Sequence, residues 1–259
     1  MYWLVRDQVA CSAVEPVEMI DLHYVATANG LKVVIALEEM GLPFRVLDYP
    51  LFEGKHLTLE FRKLNPNHKL PVIVDHAPSF GGGALPVFET GAILLYLAEK
   101  SGKFLPTNPR QRSVALQWLV WQVAGHGPMN GQAHHFIRYA PEGQDYGVTR
   151  YRREVLRLFN VLEHRLSESE YLAAEYSIAD MAVWPWVQGA PLIDIDIAEF
   201  PAVTQWSNAI RARSAVVRAI SNENTSVPEH YMQKRARLSA DEWSNIFGDR
   251  MHGAVSLRR

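Results

Sequence analysis

Two short stretches of the chain have the chemistry to hold the end of a peptide. Leu70-Pro71 opens an apolar run, Leu70-Pro71-Val72-Ile73-Val74-Asp75, that reads as a strand. A proline opening a strand beside a buried sheet is unusual and is often cis. A cis bond there turns the backbone N–H and C=O of Leu70 outward, where an extended tripeptide can pair with them like an added strand. Glu89-Thr90 stands at the start of the next helical pattern. Free N–H groups and the helix dipole favour a carboxylate at such a point. Taken singly, Pro71 ends a loop and Thr90 caps a helix. Taken together, they specify a receptor for a short peptide with a free carboxylate.

A third candidate is the polar loop Ala26-Thr27-Ala28-Asn29-Gly30, ahead of the first helical pattern. A hydroxyl or amide N–H at a helix N-terminus favours an anion placed against it, and the structural alternative is that Thr27 or Asn29 simply caps the helix. Tyr24 lies within the preceding strand and not in the loop, so Thr27 ranks above it as the donor. Ser177-Ile178-Ala179-Asp180 is a capping box, with Tyr176 and Met181 as a hydrophobic staple, so Asp180 reads as structural. His126, His134 and His135 lack the spacing of metal ligands, and no metal is expected. Trp184-Pro185-Trp186 reads as core packing, whereas Tyr139, Tyr146 and Trp121 suit either an aromatic pocket or the core.

The elements that position these residues follow from pattern. Ile20 to Val25 reads as a strand, Leu31 to Met40 as a helix with Val33, Ala36, Leu37 and Met40 on one face, and Phe44 to Tyr49 as a second strand. A charged segment of unassigned structure precedes the Leu70 strand. A glycine-rich turn from Ser79 to Ala84, a short Pro86-Val87-Phe88 strand and a helix from Gly91 to Lys100 complete a β-α-β, β-β-α order. That is the order of a thioredoxin-like fold. Leu105-Pro106-Thr107-Asn108-Pro109 is a linker, and everything beyond it is helical in pattern.

Ser113 to Ala124 carries Leu116, Leu119, Val120 and Val123 on one face, and Gly125 to Pro128 interrupts or kinks it. Val148 to Ser167, Ser177 to Gln188 and Trp206 to Ile220 read as further helices. The expected organisation is therefore an extension at 1–18, an α/β thioredoxin-like domain at 19–104, a linker at 105–109, an all-α domain at 110–225 and a tail at 226–259 folded over it.

Composition narrows the class. The 259 residues are 48% hydrophobic and 21% charged, with a formal net charge of −2, so neither a nucleic-acid partner nor a membrane partner is indicated. The basic cluster Lys234, Arg235 and Arg237 reads as a solvated helix face. Residues Met1 to Glu18 lack the basic and apolar regions of a signal peptide. Cys11 is the single cysteine. It permits no intramolecular disulfide and no CxxC pair, and it suits a reducing compartment, so a cytoplasmic location is expected.

The stretches Lys69-Leu70-Pro71-Val72-Ile73 and Phe88-Glu89-Thr90-Gly91-Ala92-Ile93-Leu94-Leu95-Tyr96-Leu97 resemble the glutathione transferases over roughly Met19 to Ile220. Thr27-Ala28-Asn29-Gly30 and His135-Phe136-Ile137-Arg138-Tyr139-Ala140-Pro141-Glu142 are similar to the bacterial nu class. That class includes enzymes with strong disulfide-bond reductase activity and is related to a fungal prion-forming regulator. The resemblance implies glutathione as co-substrate and a homodimer. Thr27 and Asn29 would face its sulfur, Leu70 would pair with its cysteinyl backbone, and Glu89 and Thr90 would hold its γ-glutamyl end. Arg138 would meet a carboxylate near the mouth of the site. His56 stands where the class has a glutamine for the glycine end, with Lys69 a second candidate for that carboxylate. The implied activity is attack by the glutathione thiolate on an electrophile or a disulfide. The alternatives are a non-catalytic glutathione-fold binding protein and a specialised lyase or dehalogenase.

Overall fold

The computed structural model describes residues 19–228, 232–233 and 237–256. Cys11, the 1–18 extension, Lys234 and Arg235 lie outside the described residues. Four strands form one mixed sheet: β1 (Ile20–Tyr24), β2 (Phe44–Asp48), β3 (Val72–Asp75) and β4 (Leu85–Phe88), in the spatial order β2-β1-β3-β4. β1 pairs parallel to β2 and antiparallel to β3, which places Leu22 between Val46 and Ile73. The helices α1 (Ala28–Met40), α2 (Leu59–Leu64) and α3 (Thr90–Ser101) complete the thioredoxin-like unit.

α1 follows the sheet so closely that its first turn must be glycine. A Cβ on Gly30 would lie 2.1 Å from the Val25 carbonyl oxygen and 2.7 Å from the Tyr24 ring. Gly41, at φ 70°, ends the helix in the left-handed cap that glycine adopts without strain. Nine of the thirteen α1 residues are buried, because α1 packs against α3 and against two helices of the helical half, Ile178–Gln188 and Ser214–Ser221.

The helical half contains α4 (Pro109–Trp121), α5 (Gly127–His134), α6 (Asp145–Glu168), α7 (Ile178–Gln188), α8 (Pro201–Arg211), α9 (Ser214–Ser221), α10 (Ala240–Ile246) and α11 (Asp249–Ala254). Several elements depart from the sequence reading. The charged segment before β3 holds α2, and β3 begins at Val72 rather than Leu70. The glycine–proline stretch does not break the chain's helical course, because a π turn over Gln122–His126 absorbs it and a second follows α5 over His135–Tyr139.

The Trp206 to Ile220 helix is two helices. Arg213 is extended between them, with its guanidinium paired to Glu39 and lying 3.8 Å over the Tyr176 ring. This tie to α1 outweighs local helix continuity. Leu119 on α4 is buried, but Val120 on α4 and Val123 in the π turn that follows are 57% and 37% exposed, so the apolar face is only half covered within one chain.

Arg237 precedes α10 in non-helical chain and is no part of a helix face. Beyond α9 the chain returns to the sheet half: Tyr24 Oη donates to the Thr225 carbonyl at 2.6 Å, and Asn245 Nδ2 donates to the Phe52 carbonyl at 2.8 Å.

Candidate functional site

Three adjoining depressions run from the thioredoxin-like half into the seam between the two halves. The first, about 220 Å³, is lined by Asn29, Lys69, Leu70, Pro71, Glu89 and Thr90 among others. The second, also about 220 Å³, shares Asn29, Lys69 and Leu70 with it and adds Thr27, His56 and Trp186. The third, about 300 Å³, shares Thr27 and Trp186 and reaches Arg138 and Tyr139. All nine sequence-predicted site residues therefore line one continuous groove, with Thr27 and Asn29 at its joints.

The first depression contains the N-terminus of α3, a point that favours an anion. The Leu70–Pro71 bond is cis. Glu89, the N-cap of α3, makes no side-chain capping bond, so the first-turn N–H groups keep their ligand capacity. Glu89 itself is held at φ 68°, ψ 119°, a region that costs an L-residue about 1–3 kcal/mol and concentrates at ligand-binding sites. Glu89 is an exposed residue beside Thr90.

At the joint between the second and third depressions, Thr27 is the N-cap of α1, and its Oγ1 accepts from the Gly30 N–H at 3.3 Å. The capping role is thus realised. It consumes an acceptor site and leaves the hydroxyl proton for a group in the groove. Tyr24 is fully buried, with its phenol raised by burial and bonded to Thr225, so the rival donor faces away from the groove.

His56 is buried and held down to about 4 by desolvation and by the neighbouring Lys69 and His68, so its ring is neutral near pH 7. Lys69 is exposed and lines both of the first two depressions. In the third depression Arg138 is 6% exposed, and its guanidinium donates through Nε and Nη2 to the Gln233 carbonyl, at 3.2 and 2.9 Å. His134 beside it is lowered to about 3 by burial and by Arg138. Val227, Met232, Ile246 and Phe247 close this cavity from the C-terminal side.

Of the aromatic candidates, Tyr139 lines the cavity, Trp121 stacks on His126 at 5.1 Å, and Tyr146 is 84% exposed away from it. No cluster of His, Cys, Asp or Glu that could hold a metal occurs among the described residues. Nor is any described helix long and apolar enough to cross a membrane.

Sequence reasoning missed three groups. Trp186, assigned to the core, forms the wall between the second and third depressions. Lys32 lies buried behind Thr90, and Gln122 bonds it from the first π turn. The available signal for Lys32 was a lone lysine inside the otherwise apolar Leu31-to-Leu37 run.

Residues 28–100 match the family model of the glutathione S-transferase N-terminal domain, and residues 131–214 that of the C-terminal domain. The disulfide-bond oxidoreductase YfcG of Escherichia coli is 49% identical over 203 residues, which cover 78% of this chain and 94% of that protein. A Burkholderia graminis glutathione transferase, solved with two glutathione molecules per subunit, superposes with a TM-score of 0.74 at 40% identity, over 82% of this chain and 91% of that one. A Pseudomonas putida glutathione transferase, solved with one glutathione disulfide per subunit, gives a TM-score of 0.74 at 38% identity, over 82% and 94%. With the groove at the seam of a thioredoxin-like half and a helical half, and with both family models matched in order, the chain belongs to the glutathione S-transferase family.

Proposed function

We propose that the protein is a glutathione-dependent enzyme of the nu class, that bound glutathione thiolate is its nucleophile, and that disulfides are its preferred second substrates. The observation that carries this reading is the continuity of the groove: the carboxylate-receiving end at Glu89 and Thr90 leads through Asn29 to Thr27, and Thr27 opens into an apolar cavity with one buried guanidinium. A non-catalytic binding protein needs the first part of this groove and has no use for the second.

In the reaction, the thiolate attacks one sulfur of a substrate disulfide, forming a mixed disulfide and releasing the other sulfur as a thiolate. A second glutathione thiolate then attacks the glutathione sulfur of the mixed disulfide. This yields glutathione disulfide and the second substrate thiolate. The protein binds, orients and stabilises the nucleophile; the reacting sulfurs all belong to the ligands. Relatives named as disulfide-bond oxidoreductases and a neighbour holding glutathione disulfide support this assignment.

The test is a parallel assay of glutathione consumption with a small disulfide and with a chlorinated aromatic. Faster turnover of the disulfide is expected; turnover of the aromatic alone would overturn the preference, and turnover of neither would overturn the enzymatic reading. Thr90→Ala and Glu89→Ala should each weaken glutathione binding by ~1–3 kcal/mol, the usual cost of hydrogen bonds to charged groups. Calorimetry with unchanged affinity in both variants would move the site elsewhere. At the glycine end, Lys69 provides the cation for the second carboxylate, and the neutral His56 ring contributes at most an N–H donor.

The proposed assembly is a homodimer of a cytoplasmic protein. Val120 at the end of α4, Val123 in the π turn after it and Phe88 ahead of α3 leave apolar surface exposed, and Val123 packs against Gly91, so the two segments present it together. Sedimentation at micromolar concentration should therefore give twice the 29.3 kDa chain mass, and a species of 29.3 kDa alone would contradict it.

A further inference from the structure

Lys32 is among the largest fully buried side chains of the molecule, at 2% exposure, and it sits in the middle of the seam. A buried ammonium is costly unless something nearby is made more favourable by its charge. Its Nζ donates to Gln122 Oε1 at 2.8 Å and to Thr90 Oγ1 at 3.3 Å, and it lies 6.0 Å from the centre of the Trp186 ring. Among the described residues no carboxylate forms an ion pair with it.

The titratable groups facing it are Glu89, from the turn ahead of α3, and His126, from the π turn after α4. α7 presents the Trp186 ring. The charged residues farther along α1, Glu38 and Glu39, are paired to Arg218 and Arg213. His126 is fully buried, with both ring nitrogens unpartnered, and is held near 3 by burial and by Lys32, so it adds no counter-charge.

The bond to Thr90 has a definite consequence. A threonine hydroxyl has one proton to give and two acceptor sites. With Lys32 donating to Oγ1 from behind, that proton is directed to an acceptor on the other side. Thr90 lines the first depression, where the α3 N-terminus awaits a carboxylate. When protonated, Lys32 also places a positive charge behind the partial charge of that helix end, in a low-dielectric seam where charges are poorly screened.

We propose that Lys32 is a positioning residue for the α-carboxylate of the γ-glutamyl group: it never touches the ligand, but it turns the Thr90 hydroxyl outward as a donor and supplies the positive charge that makes the pocket selective for a carboxylate. This rests on the glutathione reading of the groove. A second expectation follows from its environment. Burial lowers Lys32 to about 7, against the opposing pull of Glu89. A carboxylate arriving at Thr90 favours the ammonium and raises this value again. Near and somewhat above pH 7, ligand binding therefore takes up a fraction of a proton, and affinity falls as the pH rises through that range.

The experiment uses the full chain, with S-methylglutathione as probe so that no thiol titrates. Its partner probe is the same compound lacking the γ-glutamyl α-carboxylate. Wild type, Lys32→Met and Lys32→Gln are titrated calorimetrically at pH 7.5 in two buffers of different ionisation enthalpy. Wild type should prefer the carboxylate-bearing probe and take up protons. Lys32→Met should lose about tenfold or more of that preference, bind the decarboxylated probe as wild type does, and lose the proton uptake. If Lys32→Met does not fold, Lys32→Gln is read in the same way. Equal losses for both probes, or proton uptake that survives the substitution, would overturn the positioning role. Failure of wild type to bind S-methylglutathione would instead overturn the glutathione reading, and the Lys32 proposal with it.

Discussion

Thr27→Ala should lower turnover at saturating glutathione by about tenfold or more, because one hydrogen bond lost to a thiolate costs ~1.5–3 kcal/mol. The free thiol is mostly protonated at neutral pH, and each pKa unit of stabilisation gained in the site is worth ~1.4 kcal/mol. Thr27 sits where the second and third depressions meet, with its acceptor site taken by the Gly30 N–H and its proton available to sulfur. The observed cap and the proposed thiolate donation are therefore compatible in one arrangement. Loss of the cap alone costs ~1 kcal/mol of stability, so Thr27→Ser, which restores both bonds, should recover most of the rate.

Tyr24→Phe should affect turnover less than Thr27→Ala, since the Tyr24 hydroxyl is spent on the Thr225 carbonyl. Cys11→Ser should leave turnover intact, as a lone cysteine has no resolving partner within the chain. Steady-state rates for the four variants, with melting temperatures beside them, decide the matter. A large loss in Cys11→Ser, or a Tyr24 effect exceeding that of Thr27, would refute the mechanism.

Asp180→Ala should destabilise the fold by at least ~3 kcal/mol without changing the groove, because it strands several buried donors at once. Its Oδ1 accepts from Leu172 N–H at 3.0 Å and Trp206 Nε1 at 2.9 Å, and its Oδ2 from Ser177 N–H at 3.0 Å and Ser177 Oγ at 3.1 Å. Burial pushes the carboxyl up to about 6 against these four donors, so it is ionised near pH 7. A single side chain thus starts α7, fixes the turn before it and anchors α8. For a domain stable by ~5–15 kcal/mol, this loss is a large fraction of the total. Urea denaturation measures it, and a change below ~1 kcal/mol would show that the network is dispensable. Glutathione affinity of the folded variant should stay within about twofold of wild type, since ~0.4 kcal/mol corresponds to that factor.

The parts of the site legible in the sequence are those made by local rules. A proline at a strand start, a polar pair at a helix start and a capping box announce themselves within a few residues; the pair and the box stand at helix starts, and the proline immediately precedes β3. What was not legible depends on contacts between distant segments. Lys32 is separated from Gln122 by ninety positions, and nothing in the α1 periodicity says that a lysine there will meet a glutamine on a π turn. Trp186 looked like core because the helix around it is core; its position at the end of a buried helix puts one ring against the groove. The break between α8 and α9 follows from Arg213 reaching Glu39, again a distant partner. The lid of the third cavity comes from the C-terminal segment, where Trp243 and Phe247 pack on each other and on His135, more than a hundred positions away.

One helix also sets a limit on how this molecule can be divided. The family is described as two domains in tandem, yet α1 belongs to both: it closes the sheet through α3 and fills the helical half through α7 and α9. Two ion pairs, Glu38 with Arg218 and Glu39 with Arg213, fasten its far end to the second half. The halves are therefore not interchangeable modules. Exchanging one between relatives requires carrying the matching face of α1 along with it, so the recombination boundary that respects the physics lies through a helix and not at the proline-rich linker.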